Sequence, residues 1–252
     1  MSGPGRETTA HTLLGGRVAL EQPAAGYRTA IDPVLLAAAV PAVGSDGRVL
    51  DIGCGVGAAA LCYATREPAG HVTGLELQPD LAALARANAA ANGLAERFTV
   101  AAGDLLRPPP AVPGNGFDQV MANPPYLSAD RADPSPDPGR AVAGVEGEAD
   151  LAAWIEFGLS RLKPRGGLTL VQRADRLHEI LAALGAAAGD IRILPLWPKA
   201  GRPAKRVIVA ARKGLKGGVT LLPGLVLHEP EGAYTAAAEA VLRGAGNIPL
   251  TN

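Results

Sequence analysis

The residues best suited to chemistry are Asn123-Pro124-Pro125-Tyr126, which end an apolar run from Phe117 to Ala122. An amino nitrogen conjugated to a purine, like an amide nitrogen, is a poor nucleophile because its lone pair is delocalised. The side-chain oxygen of Asn123 and the carbonyl of Pro124 can accept hydrogen bonds from its two N–H bonds, favouring a pyramidal nitrogen as positive charge develops. Two prolines fix the backbone so that both acceptors converge with little entropy left to lose. Tyr126 offers a ring on which a flipped-out base stacks. No strong general base is required, since an alkylated nitrogen loses its proton readily and proximity supplies the rest. Asn123, Pro124, Pro125 and Tyr126 are therefore the candidate catalytic residues for group transfer to nitrogen, with Tyr126 also a substrate contact. Without a site around it, the same tetrapeptide is an Asn-Pro turn closing a strand.

A second constellation lies upstream. In Val49-Leu50-Asp51-Ile52-Gly53-Cys54-Gly55-Val56-Gly57 an apolar strand turns through three glycines into a helix. Glycines there permit positive φ and close approach of the backbone to a ligand, with the next helix's N–H groups aimed at it. Asp51 stands just before the glycines, and Glu76 closes the following strand, at the spacing where an acid meets a ribose hydroxyl. A dinucleotide-binding dehydrogenase shares the glycines and Glu76. A carboxylate at position 51 repels pyrophosphate, however, whereas S-adenosylmethionine carries no phosphate and brings an ammonium group. Asp104 follows the third strand on the same carboxyl edge and is read as an acceptor for the cofactor's adenine amino group; the bland reading is an Asp turn. The cofactor set is Asp51, Gly53, Gly55, Gly57, Glu76 and Asp104, with Asn123 reaching both cofactor and acceptor.

Apolar runs suited to buried parallel strands alternate with Ala-rich helical segments and position these groups. The strands are Val49 to Ile52, Val72 to Leu75, Phe98 to Ala101, Phe117 to Ala122, Leu168 to Gln172, Ile191 to Leu194 and Arg206 to Arg212. Helices are expected at about Ala58 to Arg66, Asp80 to Asn92, Asp150 to Leu162 and Ala174 to Leu184. Such alternation predicts an α/β fold with a doubly wound, seven-stranded, Rossmann-like sheet. Residues 1–16 read as a flexible tail and residues 17–46 as a hairpin around Pro23-Ala24-Ala25-Gly26 plus a helix opened by Asp32-Pro33. Residues 47–212 form the main domain and 213–252 an extension without an assigned role. Loops at Pro108 to Gly116 and Ser128 to Gly147 interrupt the pattern, the second where a lid over the site would lie.

The formal net charge is zero, but Arg161 to Lys216 holds thirteen Lys or Arg against Asp175, Glu179 and Asp190. That surplus fits an RNA-binding face, with Lys199, Arg202 and Lys205 as candidate substrate contacts; scattered solvated charge is the plain alternative. Cys54 and Cys62 match neither a redox pair nor a zinc set, so no metal is expected. The longest apolar run, Val34 to Val43, is broken by Pro41 and too short to span a bilayer, which points to the cytoplasm.

Asp51, the glycine loop, Glu76, Asp104 and Asn123-Pro124-Pro125-Tyr126, in that order, resemble the class I amino-methyltransferases that share an NPPY motif. Ahead of the loop, Gln22-Pro23, Gly26-Tyr27-Arg28 and Ile31-Asp32-Pro33-Val34-Leu35-Leu36 resemble the bacterial tRNA adenine-N6-methyltransferase family acting on valine tRNA. The resemblance runs from about Arg17 to Arg212 and implies methylation of adenine N6 in the anticodon loop, with Asp32 and its helix lining the cofactor pocket. The chain departs from the family at Leu127, often aromatic there, and in an Asp- and Pro-rich loop from Asp130 to Gly139. Release-factor glutamine methyltransferases and ribosomal RNA guanine-N2-methyltransferases share the NPPY chemistry and are the rival enzymes; a cofactor-binding RNA-interaction module is the non-enzymatic one.

Overall fold

The computed structural model describes residues 7–25, 30–126 and 149–250. Gly26-Tyr27-Arg28, Leu127 and the loop from Ser128 to Gly147 lie outside the described residues. The chain opens with an antiparallel hairpin, β1 (Thr8–Leu13) and β2 (Val18–Pro23), registered Leu13↔Val18 to Thr8↔Pro23. Thr8 to Gly16 thus form a strand and a turn, not a tail, and the reversal falls at Leu14-Gly15-Gly16 instead of at Pro23 to Gly26. Gly15 and Gly16 adopt φ of 63° and 94°, which glycine tolerates and other residues resist. Burial of Leu13, Leu14, Val18 and Leu20 fixes the hairpin to the body.

The central sheet contains β3 (Arg48–Ile52), β4 (His71–Glu76), β5 (Phe98–Ala102), β6 (Phe117–Ala122), β7 (Leu162–Arg173), β8 (Ala188–Lys199) and β9 (Arg206–Lys213). Val49, Leu50 and Ile52 are each at most 1 % exposed, as expected of a parallel strand covered on both faces. Helices α1 (Asp32–Ala39), α2 (Ala58–Arg66) and α3 (Pro79–Ala91) cover one face with Val49 and Met121. Helices α4 (Leu151–Arg161) and α5 (Leu177–Leu184) cover the other with Leu50, Ile52 and Val120. Asp150 caps α4 by accepting from the Ala153 N–H at 2.8 Å. The last helix expected from sequence starts at Leu177, after a single 3-10 turn at Ala174–Arg176.

Among the described residues, seven strands become nine because residues beyond 213 continue the sheet. Strands β10 (Val219–Leu221) and β11 (Leu225–His228) run parallel to successive halves of β8, giving the order β10-β8-β9-β7-β6-β3-β4-β5 with β11 also on β8. Helix α6 (Ala236–Leu242), capped by Thr235, then returns to the start of the chain. Arg66 donates to the Val241 carbonyl at 2.6 Å, Arg17 to that of Arg243 at 2.7 Å, and the Ile248 N–H to that of Ala38 at 2.7 Å. The extension is therefore part of the core and braces α1 and α2.

Candidate active site

Strand β3 pairs in parallel with β4 on one side and β6 on the other. The loops leaving β3 and β6 diverge and open a crevice at their carboxyl ends, the usual ligand site of a doubly wound sheet. The register Ile52↔Ala122 makes Gly53 and Asn123 the first residues past the paired ends of these strands. The two motifs therefore share one crevice.

On the β3 side, Gly53, Gly55 and Gly57 all take positive φ, at 65°, 56° and 89°. A side chain on Gly53 would collide with the Trp154 ring and one on Gly57 with Phe98, whereas among the described residues nothing lies within 4 Å above Gly55. Backbone there is open to an approaching ligand. Asp51 is 2 % exposed and accepts a hydrogen bond from the Ala60 backbone in the first turn of α2, while its Oδ2 has no partner among the described residues. Burial pushes its pKa up to about 8; the Ala60 bond opposes the rise and the Glu76 charge adds to it. Glu76 accepts from the Gly55 and Gln78 N–H groups, both at 2.8 Å, and burial raises its pKa against those bonds.

Asp104 accepts from the Leu106 N–H at 2.9 Å, so the Asp turn is formed. The Gly103 N–H, bonded to the Glu76 carbonyl at 2.8 Å, ties the ends of β4 and β5 together. Leu77 and Leu106, 61 % and 45 % exposed, follow Glu76 and Asp104 at this edge, and together with Trp154 they escaped the reading of the sequence. For Leu77 the available signal was an apolar residue directly after the strand-ending Glu76; its exposure becomes visible only in the fold.

On the β6 side, the Asn123 Oδ1 is buried and without a partner among the described residues. The Tyr126 hydroxyl donates to Asp32 Oδ2 at 2.6 Å, and the Arg206 guanidinium lies 4.4 Å from the Tyr126 ring centroid with its Nε 3.4 Å from the same Asp32 oxygen. Asp32 is not a helix cap: Ile31 holds that position without a side-chain bond, and the carboxylate reaches Tyr126 instead. Arg206 covers one face of the Tyr126 ring, and that face is therefore not available to a stacked base. Gln172, wholly buried on β7, donates to the Pro125 carbonyl at 3.1 Å and approaches that of Pro124 at 3.5 Å.

The basic segment divides between the two edges of the sheet. Register Arg173↔Arg206 sets the turn between β8 and β9 at the carboxyl edge, where Arg202 and Lys205 are exposed without side-chain partners among the described residues. Lys199 is committed to the Pro230 carbonyl at 2.6 Å. Arg161, Lys163, Arg165, Arg212, Lys213 and Lys216 lie toward the other end, at the start of β7 and the end of β9. Cys54 and Cys62 are buried free thiols whose pKa values burial raises. Among the described residues no group of three His, Cys, Asp or Glu could hold a metal, and no helix is long and apolar enough to cross a membrane.

A doubly wound sheet with a glycine loop after β3 and an Asn-Pro-Pro-Tyr loop after β6 defines the class I methyltransferase fold. Residues 30–135 match the family model of the methyltransferase small domain. A crystal structure described as a predicted O-methyltransferase from Agrobacterium tumefaciens is 26 % identical, with a TM-score of 0.71 over 86 % of this chain and 98 % of that one. Geranyl diphosphate C-methyltransferase of Streptomyces coelicolor, in complex with S-adenosyl-L-homocysteine, shares the fold at TM-score 0.53 and 14 % identity, over 72 % of this chain and 74 % of that one.

Among curated relatives, the tRNA1(Val) (adenine(37)-N6)-methyltransferase of Aeromonas hydrophila is 33 % identical over 81 % of this chain and 84 % of its own length. This chain belongs to that family. The Porphyromonas gingivalis member is 36 % identical over 65 % of this chain, which spans just under two thirds, 66 %, of that protein. The release factor glutamine methyltransferase of Deinococcus radiodurans is 35 % identical over 66 % of this chain and 59 % of its own length.

Proposed function

We propose that the protein transfers a methyl group from S-adenosylmethionine to N6 of an adenine in a tRNA anticodon loop, acting in the cytoplasm. The observation that carries this reading is the buried Asn123 Oδ1, without a donor among the described residues and one strand from the open glycine loop. A buried acceptor without a donor costs stability, and an exocyclic amino group supplies the missing N–H. The Pro124 carbonyl takes the second N–H, and the Tyr126 ring packs against the base.

The β3 side fits the cofactor. Asp51 Oδ2 has an unused position for an ammonium, Glu76 keeps further lone pairs for ribose hydroxyls, and Leu77 and Leu106 offer apolar surface to an adenine. When bound, S-adenosylmethionine supplies an electrophilic methyl on a sulfonium. Asn123 and Pro124 hold the amino group toward it and stabilise the charge that develops there.

Glutamine methylation is the second reading, favoured by the Deinococcus relative. One experiment separates the two: wild-type protein with methyl-labelled cofactor is offered unmodified tRNA, ribosomal RNA and a release factor, and the products are digested and resolved. N6-methyladenosine from tRNA is expected. Methylguanosine from ribosomal RNA or methylglutamine from the release factor would reassign the protein to the corresponding rival.

A further inference from the structure

The Asn-Pro-Pro-Tyr loop has a weakness that its prolines do not remove. Proline fixes φ, and the Pro125 ring confines ψ of Pro124 to the extended region. Within that region ψ still varies at Pro124, and at Pro125 no following proline restricts it; ψ sets where the two carbonyls point. Neither proline has an N–H with which to tie the loop down. Something outside it must hold the two peptide planes if the Pro124 carbonyl is to meet a reacting amino group with the accuracy that transfer requires.

Resting on the functional reading above, we infer that Gln172 is the positioning residue for this loop. Its carboxamide is wholly buried, and its orientation is set by the Arg173 N–H, which donates to Oε1 at 2.8 Å. Nε2 therefore faces the loop, 3.1 Å from the Pro125 carbonyl and 3.5 Å from the Pro124 carbonyl. The carrier is rigid: Gln172 lies on β7 opposite Val207 of β9, in the strand beside β6, which leads into Asn123. The shorter bond fixes the Pro125–Tyr126 peptide. The longer contact biases the Pro124–Pro125 peptide and leaves the Pro124 oxygen a lone pair for substrate. Gln172 touches neither cofactor nor base and acts through the carbonyls it holds.

The test compares Gln172→Met, which keeps length and loses both donors, with Gln172→Glu, which keeps one donor only while protonated. In single-turnover methylation of tRNA, Gln172→Met should lose about 100-fold in rate, the order expected for misplacement of a reacting group. Its cofactor Kd by calorimetry and its KM for tRNA should stay within about threefold of wild type. Gln172→Glu should lose rate relative to wild type as pH rises and its buried carboxyl ionises, over and above any limb that Asp51 gives to both proteins. Wild-type rate in Gln172→Met, or a loss shared equally by rate, cofactor binding and melting temperature, would overturn the inference. If Gln172→Met fails to fold, the pH profile of Gln172→Glu decides, and a profile parallel to wild type overturns it. Wild-type protein inactive on tRNA would defeat the functional reading and this inference together; active wild type with indifferent variants would defeat the inference alone.

Discussion

On the β3 side of the crevice, polar groups find partners close by in sequence: Gly55 and Glu76 are 21 residues apart, Gln78 and Glu76 two, Leu106 and Asp104 two. On the β6 side the partners are remote: Gln172 and Pro125 are separated by 47 residues, Tyr126 and Asp32 by 94, Arg206 and Asp32 by 174. Local bonds form with their own strand ends, so the β3 side is complete once three parallel strands pair. The β6 side needs α1, β7 and β9 all in place. A common cofactor half can thus be combined with an acceptor half whose specificity depends on the whole chain.

The sharpest break of that contrast is Asn123→Ala. Because its carboxamide addresses the acceptor and not the β3 side, single-turnover methylation should fall by about 10²–10³ or more, with cofactor affinity by calorimetry within a few fold of wild type. Near-normal turnover would remove the transition-state argument.

Tyr126→Ala should weaken tRNA binding by about 1–3 kcal/mol if a base stacks on the ring. Arg206→Ala should cost less, about 0.5–2 kcal/mol, since it removes the cation behind the ring and not the ring. Filter binding at fixed salt measures both. An Arg206→Ala loss larger than that of Tyr126→Ala would make the guanidinium, not the ring, the main contact.

On the β3 side the contrast is sharpened by pH. The folded-state pKa of Asp51 is raised from 3.8 to about 8, so its contribution to stability is full below the unfolded value and is lost as pH rises toward 8. Asp51→Asn mimics the protonated form. Its advantage over wild type should grow by up to about 1.4 kcal/mol per pH unit through that window and level off above it. The gain in Tm should be roughly 5–10 °C larger at pH 8.5 than at pH 5. Equal gains at both pH values would mean that Asp51 titrates normally.

The sequence made the β3 side legible because an apolar strand, three glycines and an acid at the next strand end are contiguous patterns. Gly53, Gly55, Gly57, Asp51 and Glu76 come together in the order expected. The partnership of Asp32 with Tyr126 and Arg206, and that of Gln172 with the prolines, left no periodic trace, since each depends on strand register set far away. Residues beyond 213 were equally opaque: β10 and β11 are only three and four residues long, and they become sheet strands because β8 offers each an edge to pair with. The β1 turn was missed because Pro23 to Gly26 carries stronger turn residues than Leu14-Gly15-Gly16, while buried leucines on either side decided the matter.

The smallest effect tests the basic segment, whose thirteen cations the fold splits between two edges. Only the carboxyl-edge group lies beside Tyr126, and within it Arg202 and Lys205 are exposed with side chains uncommitted among the described residues. Each phosphate contact to a single-stranded loop contributes about 0.7 to the slope of log affinity against log salt through counterion release. Arg202→Ala with Lys205→Ala should therefore flatten the slope by about 1.4. Lys199→Ala should add less, because its ammonium already serves the Pro230 carbonyl. Arg165→Ala with Lys216→Ala, at the opposite edge, removes the same charge and should leave the slope nearly unchanged, since contacts and not net charge release counterions. If both pairs flatten it equally, the RNA is sensing overall charge, and the contrast between the two edges has no part in binding.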